Sequence, residues 1–302
     1  MNFNALQSLV RVDEVQSFSK AADIENMTLS ALSMQMKALE ETLDIPLFDR
    51  NFRPPKLTPM GKAVAQQARH VLQAKQALLD VCADTSGLSG RFRLGFIQSA
   101  SVRIMPSFLR LARARYAQAE FRLSSNLSEY LTEQVRLGAL DAAVVTRVGV
   151  PRAELHFNAL GTEAMTFATP SEHRDTPLDQ MPFVLPFLHF RPSSGIGQLI
   201  ERTVTERFPT PTEIIVLDSI EACMECVKEG LGYTALPLPD IERCSDSRVH
   251  IHAPSTHRMT RELALVVRRE NATAIWRKVL CDTLRECFEM TSKTTTMDPF
   301  AE

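Results

Sequence analysis

The hydrophobic pattern of the chain changes at residues 86–90, where the sequence SGLSG interrupts it. Before this break, apolar residues recur at the three- and four-residue spacings of amphipathic helices. After it, short runs such as RFRLGFI, EFRLSSNL and LDAAVV alternate with amphipathic segments, and this rhythm predicts βαβ units with a parallel sheet. The sequence therefore predicts an all-α N-terminal domain, a linker and a larger α/β domain.

Three helices are predicted before residue 45, and the third has two contrasting faces. Four apolar residues share one face, because they are spaced by four, three and four positions: Leu32, Met36, Leu39 and Leu43. The other face carries small, uncharged or lysine side chains: Leu29, Ser30, Ser33, Met34 and Lys37. Thr28 stands where a side-chain oxygen would cap the helix. One face is therefore expected in a core, and the other can lie against a second surface.

The segment IPLFDRNFRPPKLTPMG contains several prolines, so the third helix cannot continue through it. Its basic residues Arg50, Arg53 and Lys56 cluster in a short loop, which we interpret as a wing. Thr58 and Pro59 then begin a helix that is predicted to run to about residue 83. We expect this helix to pair with a second copy through an apolar seam interrupted by Lys75: Val64, Ala68, Val71, Leu78 and Cys82. The alternative is that the seam packs within its own chain.

Composition excludes several classes of protein. The chain of 302 residues is 44% hydrophobic and 23% charged, as in ordinary globular proteins. No stretch approaches the roughly 20 apolar residues that cross a bilayer, so we expect a cytoplasmic protein with no membrane partner. Six cysteines are too sparse for a disulfide scaffold. There is no GxGxxG after a strand, no P-loop and no HExxH, so we expect no enzyme and no cofactor.

Residues 1–90 resemble the winged helix-turn-helix and linker helix of LysR-type transcriptional regulators, through SFSKAADIENMTLSALSMQMKALEETLDIPLFDR and KLTPMGKAV. The remainder is similar to that family's effector domain in GRFRLGF, VRLGALDAAVV and VKEGLGYTALP. The resemblance implies a DNA-binding domain at 1–62, a linker and dimerisation helix at 58–85, and an α/β effector-binding domain at 91–290. Two Rossmann-like subdomains, similar to periplasmic binding proteins, would comprise 91–161 with 268–290, and 162–267. Residues 291–302 would form a disordered tail.

The resemblance implies that the third helix enters the major groove of double-stranded DNA. The expected DNA-binding residues are Thr28, Leu29, Ser30, Ser33, Met34, Lys37, Arg50, Arg53 and Lys56, with Lys62 as a further phosphate contact. Leu29, Ser30 and Met34 stand where relatives often have glutamine, proline and arginine, which favours methyl contacts and DNA shape over hydrogen-bond readout. Residues 1–62 hold seven Lys/Arg and eight Asp/Glu, so phosphate contacts must be local. The alternative is that the wing charges are only solvated.

By the same resemblance, a small-molecule effector binds between the two subdomains, near helix N-termini at the carboxyl ends of strands. The expected ligand-binding residues are Ser99, Ser101, Ser128, Ser193 and Ser219, with Arg147 or Arg191 as counter-charge. A small carboxylate is the expected ligand, although a plain helix cap explains each serine equally well. The regulator is expected to be a homodimer or homotetramer that alters DNA bending or contact with RNA polymerase.

Cys223 and Cys226 form a CxxC motif, and Cys244, His250 and His252 follow it. Zinc sites usually take such a cysteine pair from a tight turn, whereas this pair lies within a predicted helix. A buried apolar face explains the spacing equally well, so we expect no metal site. A redox- or metal-responsive regulator that uses the two cysteines, and an architectural DNA binder without a ligand, remain alternatives.

Overall fold

The structure is a computed structural model that describes residues 2–52, 54–82, 88–149, 152–254 and 259–294. The chain forms two compact units, Met1–Ser86 with Leu137–Ala139 and Gly87–Arg136 with Leu140–Glu302. Among the described residues, the first unit has one hydrophobic core and the second has two. No helix within the described ranges is long and apolar enough to cross a membrane.

The first unit contains helices α1 (Phe3–Val15), α2 (Phe18–Ile24), α3 (Leu29–Leu43) and α4 (Pro59–Cys82), and strands β1 (Phe48–Asp49) and β2 (Lys56–Leu57). The side chains of Asn2, Ser17 and Thr28 cap the first three helices, and each accepts a hydrogen bond from a backbone N–H of the first turn. Gln16 and Asp44 end α1 and α3 in the left-handed conformation. Helix boundaries in this unit therefore follow from local capping chemistry.

The apolar faces of α1, α2 and α3 pack against one another. Leu9 and Leu32 are completely buried, Met36 and Leu39 are nearly so, and Leu43 packs on the edge of the same core. Each fully buried leucine or methionine contributes roughly 1.5–3 kcal/mol to folding. The apolar face predicted from the four-three-four spacing is thus confirmed.

Helix α4 packs against α1 with the first half of its length. Ala65 and Ala68 are buried, and the guanidinium of Arg69 forms an ion pair of 2.5 Å with Asp13 on α1. Both partners of this pair are largely shielded from water. The start of the linker helix is therefore part of the first unit's own core.

The seam predicted for pairing with a second copy is only partly available. The prediction is wrong for Val64 and Ala68, because both pack in the core of their own chain. Val71 and Leu78 are exposed, at 37% and 67%. The side chain of Cys82, and residues 83–85 of the predicted helix, lie outside the described part.

The second unit alternates strands and helices. Its first part contains β3 (Gly90–Phe96), α5 (Gln98–Arg103), α6 (Met105–Arg115), β4 (Ala119–Ser125), α7 (Ser128–Arg136), β5 (Ala142–Thr146) and β6 (Leu155–Pro170). Its second part contains α8 (Met181–Val184), β7 (Phe187–Phe190), α9 (Gly195–Arg207), β8 (Ile214–Leu217), α10 (Ile220–Lys228), β9 (Thr234–Pro237), α11 (Leu238–Cys244), β10 (Val249–Ile251), β11 (Met259–Arg268) and α12 (Ile275–Thr294).

A mixed sheet forms the framework of this unit. Its strand order is β10-β6-β11-β5-β3-β4, and β9 also pairs with β6. Strand β3 is parallel to β4 and β5, as expected for βαβ units. Strand β11 is antiparallel to both β5 and β6, so the prediction of a parallel sheet is wrong for this part. Strands β7 and β8 form a separate parallel pair.

Two long strands connect the two cores of the second unit. Strands β6 and β11 have 16 and 10 residues and pair along the whole of β11. Leu160 and Leu263 lie in the first core, whereas Met165 and Met259 lie in the second. The predicted return to the first subdomain at residue 268 is too late, because the first core already includes Leu263 and Leu265.

Helix α12 covers the place where the strands pass from one core to the other. The ring of Phe288 lies so close to Gly161 that a β-carbon at this position would overlap it. Gly161 pairs with Leu263, and the register of the two strands shifts between Leu263 and Ala264. Glycine is therefore required here by the close approach of the last helix.

Several predicted elements differ from the structure. The amphipathic segment after RFRLGFI forms two helices, α5 and α6, which meet at Ile104. The first residues of the segment PFVLPFL belong to helix α8, and its last two begin strand β7. Helix α12 reaches Thr294, so the predicted tail is wrong for residues 291–294. Residues 295–302 lie outside the described part.

Candidate functional site

The polar face of α3 is exposed along its first three turns. Leu29 and Met34 expose 51% and 71% of their surface, and Ser30, Ser33 and Lys37 are also exposed. The hydroxyl of Ser33 donates to the carbonyl oxygen of Leu29 at 2.8 Å, so its oxygen can still accept a hydrogen bond. Thr28 instead caps the helix, since its hydroxyl oxygen accepts from the backbone N–H of Ala31 at 3.1 Å.

A groove of about 350 Å³ joins this helix face to the wing. Five of the predicted DNA-binding residues line it: Ser30, Ser33, Met34, Lys37 and Arg50. The predicted residues Thr28, Leu29 and Lys56 do not line the groove, and Arg53 lies outside the described part. The structure thus brings together residues that are up to 20 positions apart in the sequence.

Glu40 lies on the floor of the same groove and was not predicted as a site residue. Its Oε1 atom accepts hydrogen bonds from the backbone N–H groups of Leu47 at 2.8 Å and Phe48 at 3.0 Å. Its Oε2 atom accepts from Arg50 at 2.9 Å. A buried N–H without an acceptor costs about 1–3 kcal/mol. Nothing in the sequence indicates this role, because the side chain of Glu40 is only 12% exposed and its partner Arg50 lies ten positions away across a turn.

The wing is a short antiparallel pair in which Phe48 pairs with Leu57 and Asp49 with Lys56. The ammonium nitrogen of Lys56 lies 4.6 Å from the centre of the exposed Phe52 ring, a cation–π distance. Lys62 is exposed on α4. Lysines of this kind can reach phosphate groups without reading bases.

A small hollow lies in the second unit, where β3, β4, β5 and β7 end. Its lining includes Ser99, Asn126, Ser128, Thr146 and Ser194. A wider hollow of about 270 Å³ adjoins it and shares Ser128, Thr146 and Gly195 with it. Both hollows lie at the carboxyl ends of strands and at the start of α9, the region in which the effector site was predicted.

Three of the predicted serines line these hollows. Ser99 is buried, and its hydroxyl accepts from Arg261 at 3.0 Å. Ser128 accepts from the backbone N–H of Thr146 at 3.2 Å, and Ser193 lines the wider hollow. The residue that caps α9 is Ser194, which accepts from Gly197 at 3.0 Å. The double serine before Gly195 was the signal, but the sequence does not show which serine caps.

The other two serines do not line either hollow. Ser101 donates back to the carbonyl oxygen of Gln98 at 2.6 Å within its own helix. Ser219 accepts from Ala222 as the cap of α10 and donates to Glu221 at 2.9 Å. For these two residues the capping and local hydrogen-bonding explanation is the better one.

The predicted arginines do not line the hollows, and each has an acidic neighbour. Arg147 pairs with Glu262 at 3.1 Å. The guanidinium of Arg191 donates to the backbone carbonyl oxygen of Asp218 at 2.8 Å and to the carboxylate of Asp218 at 3.4 Å. The wider hollow instead contains Arg152, which was not predicted. Arg152 pairs with Glu133 at 2.9 Å, with half of its side chain exposed.

Four buried charged side chains lie behind Ser99. Arg261 contacts Glu163 at 2.5 Å and Asp240 at 3.3 Å. Arg103 contacts the same two carboxylates at 2.6 and 2.9 Å. Burial alone would raise the pKa of Glu163, but the two arginines lower it below its usual range. The cluster is electrically neutral, so it holds the wall of the small hollow without adding net charge.

The CxxC motif lies on α10. Cys223 is completely buried, and burial raises the pKa of its thiol to about 12. The cysteines that the structure describes are all free thiols. The rings of His250 and His252 are 4.6 Å apart, but no group of three metal-ligating side chains occurs among the described residues.

An exposed helix face beside a wing, followed by an α/β unit whose two cores enclose a polar hollow, defines a DNA-binding regulator that senses a small ligand. Two family models match the chain: "Bacterial regulatory helix-turn-helix protein, lysR family" at residues 3–62, and "LysR substrate binding domain" at residues 85–286. The chain belongs to the LysR family of transcriptional regulators.

Individual relatives are distant. The transcriptional regulator CzcR of Bacillus anthracis is 26% identical over 255 residues, which cover 84% of this chain and 86% of CzcR. A full-length OxyR variant from Pseudomonas aeruginosa has a TM-score of 0.75 at 22% identity and covers 95% of this chain and 98% of its own. CbnR complexed with its target DNA has a TM-score of 0.61 at 17% identity and covers 95% of this chain and 100% of its own. These structures show the same fold.

Proposed function

We propose that residues 1–62 bind one half-site of a pseudo-palindromic operator, and that the protein acts as a homodimer or homotetramer. The supporting observation is the groove that joins the exposed face of α3 to Arg50. Ser30, Ser33, Met34 and Lys37 would contact base edges or nearby phosphates. Arg50, with Arg53, Lys56 and Lys62, would contact the DNA backbone or the minor groove. The protein would act in the cytoplasm, with no catalytic activity and no cofactor.

Two substitutions test this division of roles. Met34→Ala should change the preference among operator sequences, because Met34 is exposed on the helix face that would enter the major groove. Arg53→Ala should weaken binding to every sequence and reduce the slope of log K against log salt by about 0.9, since one phosphate contact is lost. Binding is measured by fluorescence anisotropy across salt concentrations. Equal effects of Met34→Ala on every duplex would contradict the reading role of α3.

We propose further that the effector is a small carboxylate bound in the wider hollow of the second unit. Its volume of about 270 Å³ suits a small metabolite, since drug-sized pockets span roughly 300–1,000 Å³. Ser128, Ser193 and the start of α9 would donate hydrogen bonds, and Arg152 would supply the positive charge that was first assigned to Arg147 or Arg191. Binding would shift the equilibrium between two arrangements of the subdomains and so change DNA bending or polymerase contact.

The two alternatives have less support. A redox mechanism through Cys223 would need an accessible thiolate, whereas this thiol is completely buried and its pKa is raised to about 12. An architectural binder without a ligand would not require the polar side chains that converge on the hollow. We therefore propose ligand sensing as the function of the second unit.

A further inference from the structure

We propose that Glu40 is a positioning residue for DNA binding, which fixes the wing and the guanidinium of Arg50 relative to the reading helix α3. The proposal rests on the proposed function, in which the groove between α3 and the wing binds DNA. Glu40 itself would not read a base. It would determine where Arg50 meets the DNA backbone.

The first part of the argument concerns the backbone of the wing. One carboxylate oxygen of Glu40 accepts the N–H groups of Leu47 and Phe48, at 2.8 and 3.0 Å. Both residues are buried, and Phe48 begins strand β1. The carbonyl oxygen of Leu47 in turn accepts a hydrogen bond from the backbone N–H of Thr58, the residue before α4, at 2.9 Å. The start of the wing is therefore held between α3 and the beginning of α4.

The second part concerns Arg50. The other carboxylate oxygen of Glu40 accepts from the Nη2 atom of Arg50 at 2.9 Å. The side chain of Glu40 is only 12% exposed, whereas that of Arg50 is 66% exposed. A guanidinium has five N–H donors in a rigid plane. Glu40 can therefore fix the plane through one donor while other donors remain available to a phosphate.

The third part concerns the position of this pair. Glu40 and Arg50 line the same groove as Ser33 and Lys37. Phosphate contacts determine the register in which a reading helix lies in the major groove. A shift of Arg50 would consequently change how α3 meets the bases, even though Glu40 touches none of them.

The chain provides a matched control in Glu41. Glu41 is the next residue on α3 and pairs only loosely with Lys37, at 3.8 Å, with 67% of its side chain exposed. Glu40→Gln and Glu41→Gln each remove one negative charge from the same turn. The amide oxygen of glutamine at position 40 would still accept from Leu47 and Phe48, but its NH₂ group would face the N–H donors of Arg50. Glu40→Gln thus disturbs the arginine while keeping the backbone bonds.

The experiment measures binding of the full-length variants to a fluorescein-labelled duplex of random sequence, by anisotropy over a range of salt concentrations. Glu40→Gln should bind about tenfold more weakly than Glu41→Gln at the same salt. It should also lose about 0.9 of the salt slope, as Arg50→Ala does. In the Arg50→Ala background, Glu40→Gln should have no further effect, because Glu40 would act through that arginine.

Three results would overturn the proposal. Equal affinity of Glu40→Gln and Glu41→Gln would make Glu40 an ordinary surface charge. A full additional loss in the Arg50→Ala background would show that it does not act through Arg50. A lower melting temperature of Glu40→Gln, large enough to explain its weaker binding, would make its role structural only. If wild-type protein bound no duplex at all, the proposed function would fall together with this role, and the wild-type measurement distinguishes that case.

Discussion

At the scale of single residues, the neutral cluster of Arg103, Glu163, Asp240 and Arg261 explains how charges can be buried beside a hollow. Each arginine contacts both carboxylates. An isolated buried ion costs several kcal/mol, so none of the four is tolerated without the others. Arg103 lies at the end of α5, beside residues of the first core, and Asp240 lies on α11, beside the second core. The cluster therefore specifies how the two cores meet.

Replacing Glu163 by glutamine should be strongly destabilising. The variant would leave two buried guanidinium groups with one carboxylate, and the free energy of unfolding should fall by about 3–5 kcal/mol. Glu262→Gln is the control, because the Arg147–Glu262 pair is 44% and 34% exposed and should contribute less than about 1 kcal/mol. Denaturant unfolding measures both. A loss for Glu163→Gln as small as for the control would contradict the role of the cluster.

The stabilisation that Glu163 provides in the wild type should depend on pH, and the sign of this dependence follows from its pKa. The pKa of Glu163 is lower in the fold than in the unfolded chain. Such an acid stabilises the fold above its unfolded pKa, and the contribution is lost as the pH falls through the folded pKa. The difference in unfolding free energy between wild type and Glu163→Gln should therefore be largest above about pH 5 and should decrease below about pH 4.

The site residues were predictable where their role follows from neighbouring residues in the sequence. They were unpredictable where the role depends on tertiary contacts with residues far away in the sequence. The exposed face of α3 follows from helical spacing alone, and Ser128 follows from its place after a strand. Arg147 and Arg191 were chosen for their charge, but Glu262 and Asp218 bind them. Glu40 could not be chosen, because its partner Arg50 is ten positions away across a turn.

At the scale of elements, short-range patterns located most helices and strands of the described chain. Thr28, Ser17 and Pro59 mark helix starts through capping and backbone geometry. The antiparallel pairing of β6 with β11 was not predictable, because it joins segments about 100 residues apart. The boundary between α5 and α6 was not predictable, since hydrophobic spacing alone does not show that α5 ends at Arg103 before α6 begins.

Helix α4 supports a prediction about assembly. Leu78 exposes 67% of its surface and Val71 37% on a helix whose other side packs on α1, so the two residues can pair with a second copy. Leu78→Asp would place an unpaired charge in that apolar contact and should dissociate the subunits. Leu78→Met keeps an apolar side chain and should not. Light scattering measures the mass, and an unchanged mass for Leu78→Asp would assign the assembly to other surfaces.

At the scale of the whole molecule, the proposed ligand site would allow a ligand to bias the shape of the second unit. The strands β6 and β11 run continuously through both cores. The wider hollow is lined by residues from both parts of the second unit. Ser128 and Thr146 belong to the first part, and Ser193 and Gly195 belong to the second. Under the proposed function, a ligand that contacts both parts would have a different affinity for each arrangement of the cores, which is the requirement for a switch.

The effector prediction can be tested without knowing the metabolite. A screen of small carboxylates and their neutral amides by thermal shift, at fixed protein concentration, should give shifts only with carboxylates. A ligand at about 100 times its Kd would stabilise the fold by about 2.7 kcal/mol. Ser128→Ala should weaken the shift because Ser128 lines both hollows, whereas Ser101→Ala should not, because Ser101 lines neither. Shifts produced only by neutral or cationic compounds would contradict an anionic effector, and equal losses in the two variants would place the ligand elsewhere.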